Sequence, residues 1–133
     1  MIRRLTLAAV LLLPLLAAAP ANASTSGFTG SWSATDVDGS AMIMTIGGDA
    51  NGAHRVGLVD RVGTICIGSE ATSRLFHGTA IGVVEGDVLT ATWLTARCGD
   101  TAFDFESGQF AMEYLPATDQ LFGMDVYWER TGA

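Results

Sequence analysis

The sequence predicts an all-β fold, an up-and-down (meander) barrel of about eight antiparallel strands. Beyond residue 23, apolar and polar residues alternate with the period of two that strands require, and no convincing helical pattern occurs. Glycine-rich and Asp-Gly turn signals separate these segments about every 8–14 residues, the rhythm of a barrel or sandwich. Because most connections are short, a barrel is favoured, with a Greek-key sandwich as the alternative.

The chain opens with the pattern of a secretory signal peptide. Two arginines precede an apolar run over residues 5–16, and Ala21-Asn22-Ala23 is a small-x-small cleavage site. The apolar run is short for a bilayer span, and an uncleaved N-terminal anchor is the alternative. We therefore expect a signal peptide over 1–23, a single β-barrel domain over 24–133, and a secreted or periplasmic location.

The part that follows residue 23 is strongly acidic. Two of the seven basic residues lie in the leader, which leaves five arginines against fourteen acidic residues, a formal net charge of −9. Nucleic acids and anionic membranes are bound through cations, so we expect neither as a partner once the leader is cleaved. The charge is interpreted as keeping an exported protein soluble.

Four strands are predicted in the first half of the barrel domain. In the second of them, Met42, Met44 and Ile46 share one face. Asp38-Gly39 joins the first two strands as a tight hairpin, because glycine tolerates positive φ. The predicted strands cover residues 28–35, 41–46, 54–60 and a short 62–67.

The second half contains further strands, one of which changes phase. The small residues Gly78 and Gly82 predict strong bending or close backbone approach in the strand over 75–83. Phe103 lies on an odd position and Phe110 on an even one, so one apolar face holds both only if the strand slips or bulges near Ser107-Gly108. Other predicted strands cover 88–97 and 120–130. In the last, the inward residues are predicted to be Phe122, Met124, Val126 and Trp128.

Cys66 and Cys98 are the two cysteines of the chain. In an exported protein an even pair predicts one disulfide. A redox or metal pair is the alternative, but the C-x-x-C spacing and a histidine at ligand spacing are both missing from the sequence.

No catalytic motif occurs in the sequence, neither a nucleophile elbow, a zinc-protease helix nor a phosphate-binding loop. His77 would bind a ligand or act as a base if its strand face is the interior.

The segment 36–40 begins like a calcium loop, but its twelfth position is Gly47, so a hairpin turn is favoured. Asp104 and Glu106 are interpreted as the solvated outer face of a strand. We expect no enzyme activity, no metal and no cofactor.

A set of large side chains on inferred inward faces forms the candidate ligand lining. Methionine adapts to irregular cavities and aromatic rings line small-molecule sites, while plain core filling is the alternative. The candidate lining residues are Trp32, Met42, Met44, His77, Trp93, Met112, Tyr114 and Trp128.

Gly30-Ser31-Trp32, at the start of the first predicted strand, resembles the G-x-W opening of lipocalin-like (calycin) barrels, a group that includes avidin-like proteins. The resemblance implies a tryptophan that packs across the base of a barrel. Small secreted bacterial metalloprotease inhibitors open similarly and carry one disulfide, but they place a cysteine nearer the start. The segments 36–40 and 116–119 also look like those of uncharacterised secreted bacterial β proteins.

Two functions are predicted. The first is a secreted barrel that binds a small apolar ligand. The alternative is a module that binds an extracellular protein, such as a hydrolase inhibitor, through the loop over 68–73 or the segment 24–27. Whether the barrel interior is empty or filled distinguishes them.

Overall fold

The strands follow one another along the chain with mostly short connections, apart from the long loop over residues 61–75 between the third and fourth strands. The computed structural model describes residues 27–48, 52–68, 71, 73–103 and 108–133. The predicted leader, 1–23, lies outside the described residues. Within them the strands are β1 (Gly30–Thr35), β2 (Ala41–Gly48), β3 (Ala53–Asp60), β4 (Phe76–Glu85), β5 (Val88–Cys98), β6 (Thr101–Phe103), β7 (Gln109–Leu115), β8 (Gln120–Gly123) and β9 (Val126–Gly132).

The sheet closes on itself. Neighbouring strands are antiparallel, in the order β4-β3-β2-β1-β9-β8-β7-β5-β6, and an additional β4–β5 pairing joins the ends. Eight strands thus form a meander barrel, and the short β6 pairs beside the end of β5. The predicted up-and-down barrel is confirmed, and the Greek-key alternative is not adopted.

Side-chain alternation decides which residues enter the core. In β2 the buried positions are Met42, Met44 and Ile46, as predicted. The hairpin before β2 is also confirmed, with Gly39 at a φ of 84°. The Asp36 and Asp38 carboxyl oxygens accept backbone N–H groups of this turn, which is the role of turn residues rather than calcium ligands.

The inward glycines of β4 lie under large side chains from β5. A Cβ atom on Gly82 would lie 2.7 Å from Leu89 Cδ1, and one on Gly78 would collide with the Trp93 ring. The atoms that approach these glycines belong to side chains rather than to backbone, so the predicted close backbone approach is not what fills this space. Glycine is required here because the ring and the leucine occupy the space that its side chain would take.

Strand β5 contains a bulge that the sequence analysis missed. Thr79 pairs with Thr95 and Ala80 with Trp93, so Leu94 is the extra residue. Inward residues are Leu89 and Ala91 before the bulge, and Ala96 and Cys98 after it.

β6 and β7, which both pair with β5, show the predicted phase change. Phe103 and Phe110 pack against the same core although one is odd and the other even. Asp104 and Glu106 belong to the segment 104–107, which lies outside the described residues.

Two predicted strands are wrong. The segment 62–67 is a loop with a 3₁₀ turn at Thr64–Cys66. The predicted strand over 120–130 is a hairpin, because Met124 and Asp125 adopt left-handed φ values of 56° and 62° and reverse the chain. The turn shifts the phase, so Phe122 faces outward and Leu121 fills the core instead.

Cys66 and Cys98 form the predicted disulfide, with Cα atoms 5.6 Å apart. The bond ties the 3₁₀ turn to the end of β5. A search of the described residues for helices of membrane-spanning length and apolarity found none.

Candidate functional site

The predicted lining residues divide between the core and the surface. Trp32, Met44, Met112 and Trp128 are fully buried, and Met42 is nearly so. Trp93 and Tyr114 are partly buried against the same core. His77 lies on the outer face, because Phe76, Gly78, Ala80 and Gly82 take the inward positions of β4.

Side chains fill the middle of the barrel. A Cβ atom on the inward Gly123 would collide with the sulfur of Met112, just as Trp93 and Leu89 cover the inward glycines of β4. Leu89, Leu121 and Trp128 are fully buried alongside them. A ligand therefore has better access to the ends of the barrel than to its centre.

One end of the barrel is closed by Trp32. Its indole N–H donates to the Phe28 carbonyl at 2.9 Å, so the segment that precedes β1 folds over the barrel. Gly30 adopts a φ of 138°, and a Cβ atom on it would lie 2.5 Å from the Gly132 carbonyl oxygen and 2.8 Å from Arg130 Nη1. A side chain at residue 30 would therefore collide with the backbone of β9 beside the Arg130 guanidinium.

Arg130 completes this closed end. Its guanidinium lies 4.1 Å from the Trp32 ring centroid and donates to the carbonyls of Thr29 and Gly27, both at 2.7 Å. It also donates twice to the Asp119 carboxylate, at 2.8 and 2.9 Å. The donors of Arg130 are shared between the N-terminal segment and the β7–β8 turn, which locks the two together.

The pKa values of Asp119 and Tyr114 at the closed end are shifted from their ordinary values. The Arg130 hydrogen bond holds the pKa of Asp119 below its ordinary value. Desolvation raises the pKa of Tyr114, and its hydrogen bond to Asp119 at 3.0 Å raises it further. The network is therefore an ion pair with a neutral phenol donor at neutral pH.

The opposite end of the barrel carries a depression of about 220 Å³. Four apolar side chains form much of its lining: Met42, Leu58, Phe76 and Met124. The loop after β3 contributes Gly63, Thr64 and Ile65 to its rim. We call this depression the open end.

Two carboxyl residues, Asp36 and Asp60, line the open end, and Asp60 lies at its base. Its side chain is on the inward face of β3 and is 7% exposed. One carboxyl oxygen, Oδ1, accepts hydrogen bonds from the Ser40 hydroxyl at 3.2 Å and from the Val62 N–H at 3.0 Å. Among the described residues, no arginine or histidine forms an ion pair with it. The carboxyl group is therefore oriented, and it lacks a cationic partner.

Asp60 is not among the site residues predicted from the sequence, although its strand carries a signal for it. Val56, Leu58 and Asp60 occupy one phase of a regularly alternating strand, so an acid at the third position is expected to face inward. Such an acid at a strand end lies where the barrel opens.

A disulfide-tied loop borders the open end. Gly63 donates its N–H to the Arg74 carbonyl at 2.9 Å, which closes the base of the loop. The Cys66–Cys98 bond fixes the 3₁₀ turn within it. The rim residues Thr64 and Ile65 are thus held in place by a covalent link to β5.

His54 is a buried polar residue near the closed end. It is 1% exposed, and neither ring nitrogen has a hydrogen-bond partner. Nearby backbone belongs to Gly48 and Gly82, its neighbours on adjacent strands. An unsatisfied buried imidazole costs stability, and no described group gives it a chemical task.

Neither a metal cluster nor a known relative identifies the site. Within the described residues, no three histidine, cysteine or acidic side chains come together as metal ligands would. No family model matches the chain, and comparison with curated proteins and solved structures gave no significant match.

Proposed function

We propose that this chain is a binding protein that holds a small ligand at the open end of its barrel. The observation that carries the proposal is the Asp60 carboxyl group, buried at the base of an apolar depression without a cationic partner among the described residues. Burying a carboxylate in apolar surroundings is costly, and a ligand that supplies a cation offsets that cost.

The chemistry of the lining specifies the ligand class. Met42, Leu58 and Met124 favour an apolar body, and the Phe76 ring adds an aromatic surface that attracts cations. A volume of about 220 Å³ is below the roughly 300–1,000 Å³ typical of sites for drug-sized molecules. The ligand we propose is therefore a small primary amine with an apolar chain or ring.

This proposal refines the apolar-ligand hypothesis and relocates it. The buried Trp32, Met44, Met112 and Trp128 belong to the filled core, while Met42 contributes directly to the lining of the depression. The resemblance to lipocalin-like barrels is consistent with a binding role at the end opposite Trp32.

Three probes that differ in one functional group test the charge requirement. These are 2-phenylethylamine, the neutral 2-phenylethanol and the anionic phenylacetate, each titrated into the protein lacking the predicted leader. Isothermal titration calorimetry should show the amine binding about tenfold or more tightly than the alcohol, since a charge-assisted hydrogen bond is worth about 1.5–3 kcal/mol. Equal affinities, or no binding of the amine at millimolar concentration, would refute the proposal.

Two variants locate the binding. Asp60→Asn keeps the shape and should reduce amine affinity about tenfold while leaving the alcohol unchanged. Glu113→Gln removes an exposed carboxylate from the outer wall and is the matched control, because a general attraction to an acidic protein would respond to either change. Unchanged circular dichroism verifies folding. If Asp60→Asn does not fold, Met124→Trp should fill the depression and abolish binding.

The alternative, a hydrolase inhibitor acting through loops, remains a prediction. Much of the segments 68–73 and 24–27 lies outside the described residues.

A further inference from the structure

The outer wall of β2–β5 has a composition unlike the rest of this acidic protein. Three rows of outward residues cross the four strands in register. The middle row is made of Thr45, Gly57, Thr79 and Thr95. The outer rows are Ile43, Val59, His77 and Arg97 on one side, and Gly47, Arg55, Ile81 and Thr92 on the other. None of these residues is acidic, so we call this surface the basic wall.

A groove follows the middle row of the basic wall. Two depressions of about 720 and 600 Å³ share Thr45, Gly57 and Thr79 as their common floor. Gly57 has no side chain and lies between two threonines. The floor of the groove is therefore lower along the middle row than the side chains of the neighbouring rows. Leu94, extruded by the bulge in β5, adds an exposed apolar side chain to one of the depressions.

The opposite side of the barrel carries the complementary features. A row of outward residues crosses β5, β7, β8 and β9: Val88, Glu113, Phe122 and Tyr127. Phe122 and Tyr127 are 38% and 59% exposed, and their ring centroids lie 4.9 Å apart, so they form a projecting aromatic pair. Asp125 at the hairpin turn and Glu129 on β9 add carboxylates nearby. We call this surface the acidic wall.

We infer that the occupant of the groove is the acidic wall of a second copy of this chain. The aromatic pair supplies an apolar projection for the threonine and glycine floor. The carboxylates around it face the guanidinium groups of Arg55 and Arg97. Complementary charge and shape on the two walls of one molecule are what head-to-tail association requires.

The geometry determines the kind of assembly. The two walls adjoin at β5, but β3 and β8 lie on opposite sides of the ring of eight strands, so the aromatic pair faces away from the groove. An interface between different patches leaves one free wall on each terminal copy, and association continues beyond a dimer. Four strands about 4.8 Å apart give a wall smaller than the ~800 Å² per partner of standard interfaces, so the association is weak.

Sedimentation velocity over a concentration series up to about 1 mM, the weak end of specific association, tests the inference. The average mass should rise with concentration and pass that of a dimer. The double variant Arg55→Glu/Arg97→Glu should weaken association about tenfold or more, as should Glu113→Arg/Glu129→Arg. Arg74→Glu, an exposed arginine outside both walls, is the control and should leave the mass series unchanged.

Mixing the two double variants gives the decisive result. Each has two walls of the same charge and should stay monomeric alone. Together they restore opposite charges at every contact, so the equimolar mixture should associate as the wild type does. A wild-type protein that is monomeric throughout the series, or a mixture that stays monomeric, overturns the inference. Association that responds to only one of the two walls also overturns it, because that is a symmetric dimer.

Discussion

The two ends of the barrel each contain one charged side chain that is largely buried, and the two side chains differ in the partners that they have. At the closed end, Arg130 contacts the Trp32 ring, two backbone carbonyls and a carboxylate. At the open end, Asp60 has one carboxyl oxygen held by Ser40 and Val62 and has no cationic partner among the described residues. The protein itself supplies a partner of opposite charge to the group at the closed end and, among the described residues, supplies none to the group at the open end.

This difference indicates that the closed end contributes mainly to stability and that the open end is suited to binding. A charge whose partners are all internal holds distant segments together and offers nothing to a ligand. A charge that is oriented but unpaired costs stability, and a ligand that pairs with it recovers the cost. The expected effects of substitution should therefore divide in the same way, with the largest losses of stability at the closed end.

Trp32→Ala should have the largest effect on stability. Removing a fully buried indole leaves a cavity and deprives Arg130 of its platform, so we expect a loss of about 3–5 kcal/mol in the free energy of unfolding. Urea denaturation measures it. Tyr127→Ala, which truncates an exposed aromatic residue, is the control and should cost less than about 1 kcal/mol. Equal losses would mean that the closed end does not hold the barrel together.

Removal of the disulfide should affect the open end more than the closed end. Cys66→Ser/Cys98→Ser should lower the unfolding free energy by about 3–4 kcal/mol, from the loop entropy of a 32-residue separation. Amide hydrogen exchange should be faster in the variant than in the wild type at Gly63 and at position 66, whose backbone N–H groups donate within the loop. Protection at Trp32 should be lost no faster than global unfolding requires. Uniform loss of protection would contradict a local role for the bond.

His54→Leu should stabilise the protein by about 1 kcal/mol, because leucine removes two buried nitrogens that lack partners. Thermal or urea unfolding provides the measurement. The same substitution at His77, which lies on the outer wall, should change stability by less than about 0.5 kcal/mol. A clear loss of stability in His54→Leu would indicate that the imidazole has a partner in solution.

Asp119→Asn should show the smallest effect, and one that depends on pH. Arg130 lowers the pKa of folded Asp119 below 3.8, so the ionised carboxylate stabilises the fold above that value. This stabilisation is lost as the pH falls through the lowered pKa. The destabilisation caused by Asp119→Asn at neutral pH should therefore shrink in acid.

A double-mutant cycle with Arg130→Gln isolates the Asp119 interaction. Urea unfolding at neutral pH and well below pH 3.8 should give a coupling energy that declines in acid. A coupling that persists unchanged at low pH would exclude the ion pair as its source.

Several features of the open end could be predicted from the sequence, but Asp60 was not among the predicted site residues. Met42 belongs to a predicted inward face, and the disulfide was predicted from two cysteines in a chain that carries the pattern of an export signal. The inward phase of Asp60 can be read from Val56 and Leu58. The depression itself cannot, because its rim comes from the 3₁₀ turn and from Met124, where a strand was predicted in both cases.

The alternation of residues by itself determined the fold class, the small face of β4 and the phase change before β7, since these depend on local period and on turn chemistry. The disulfide was determined by the number of cysteines. The tertiary structure decided the bulge at Leu94, the hairpin at Met124 and Asp125, and the contact of Trp32 with Arg130. Each of these features depends on residues far apart in the chain, or on a backbone conformation that the residue types do not indicate. Closure of the barrel requires these features, because the eight strands can meet around a filled core in only one register.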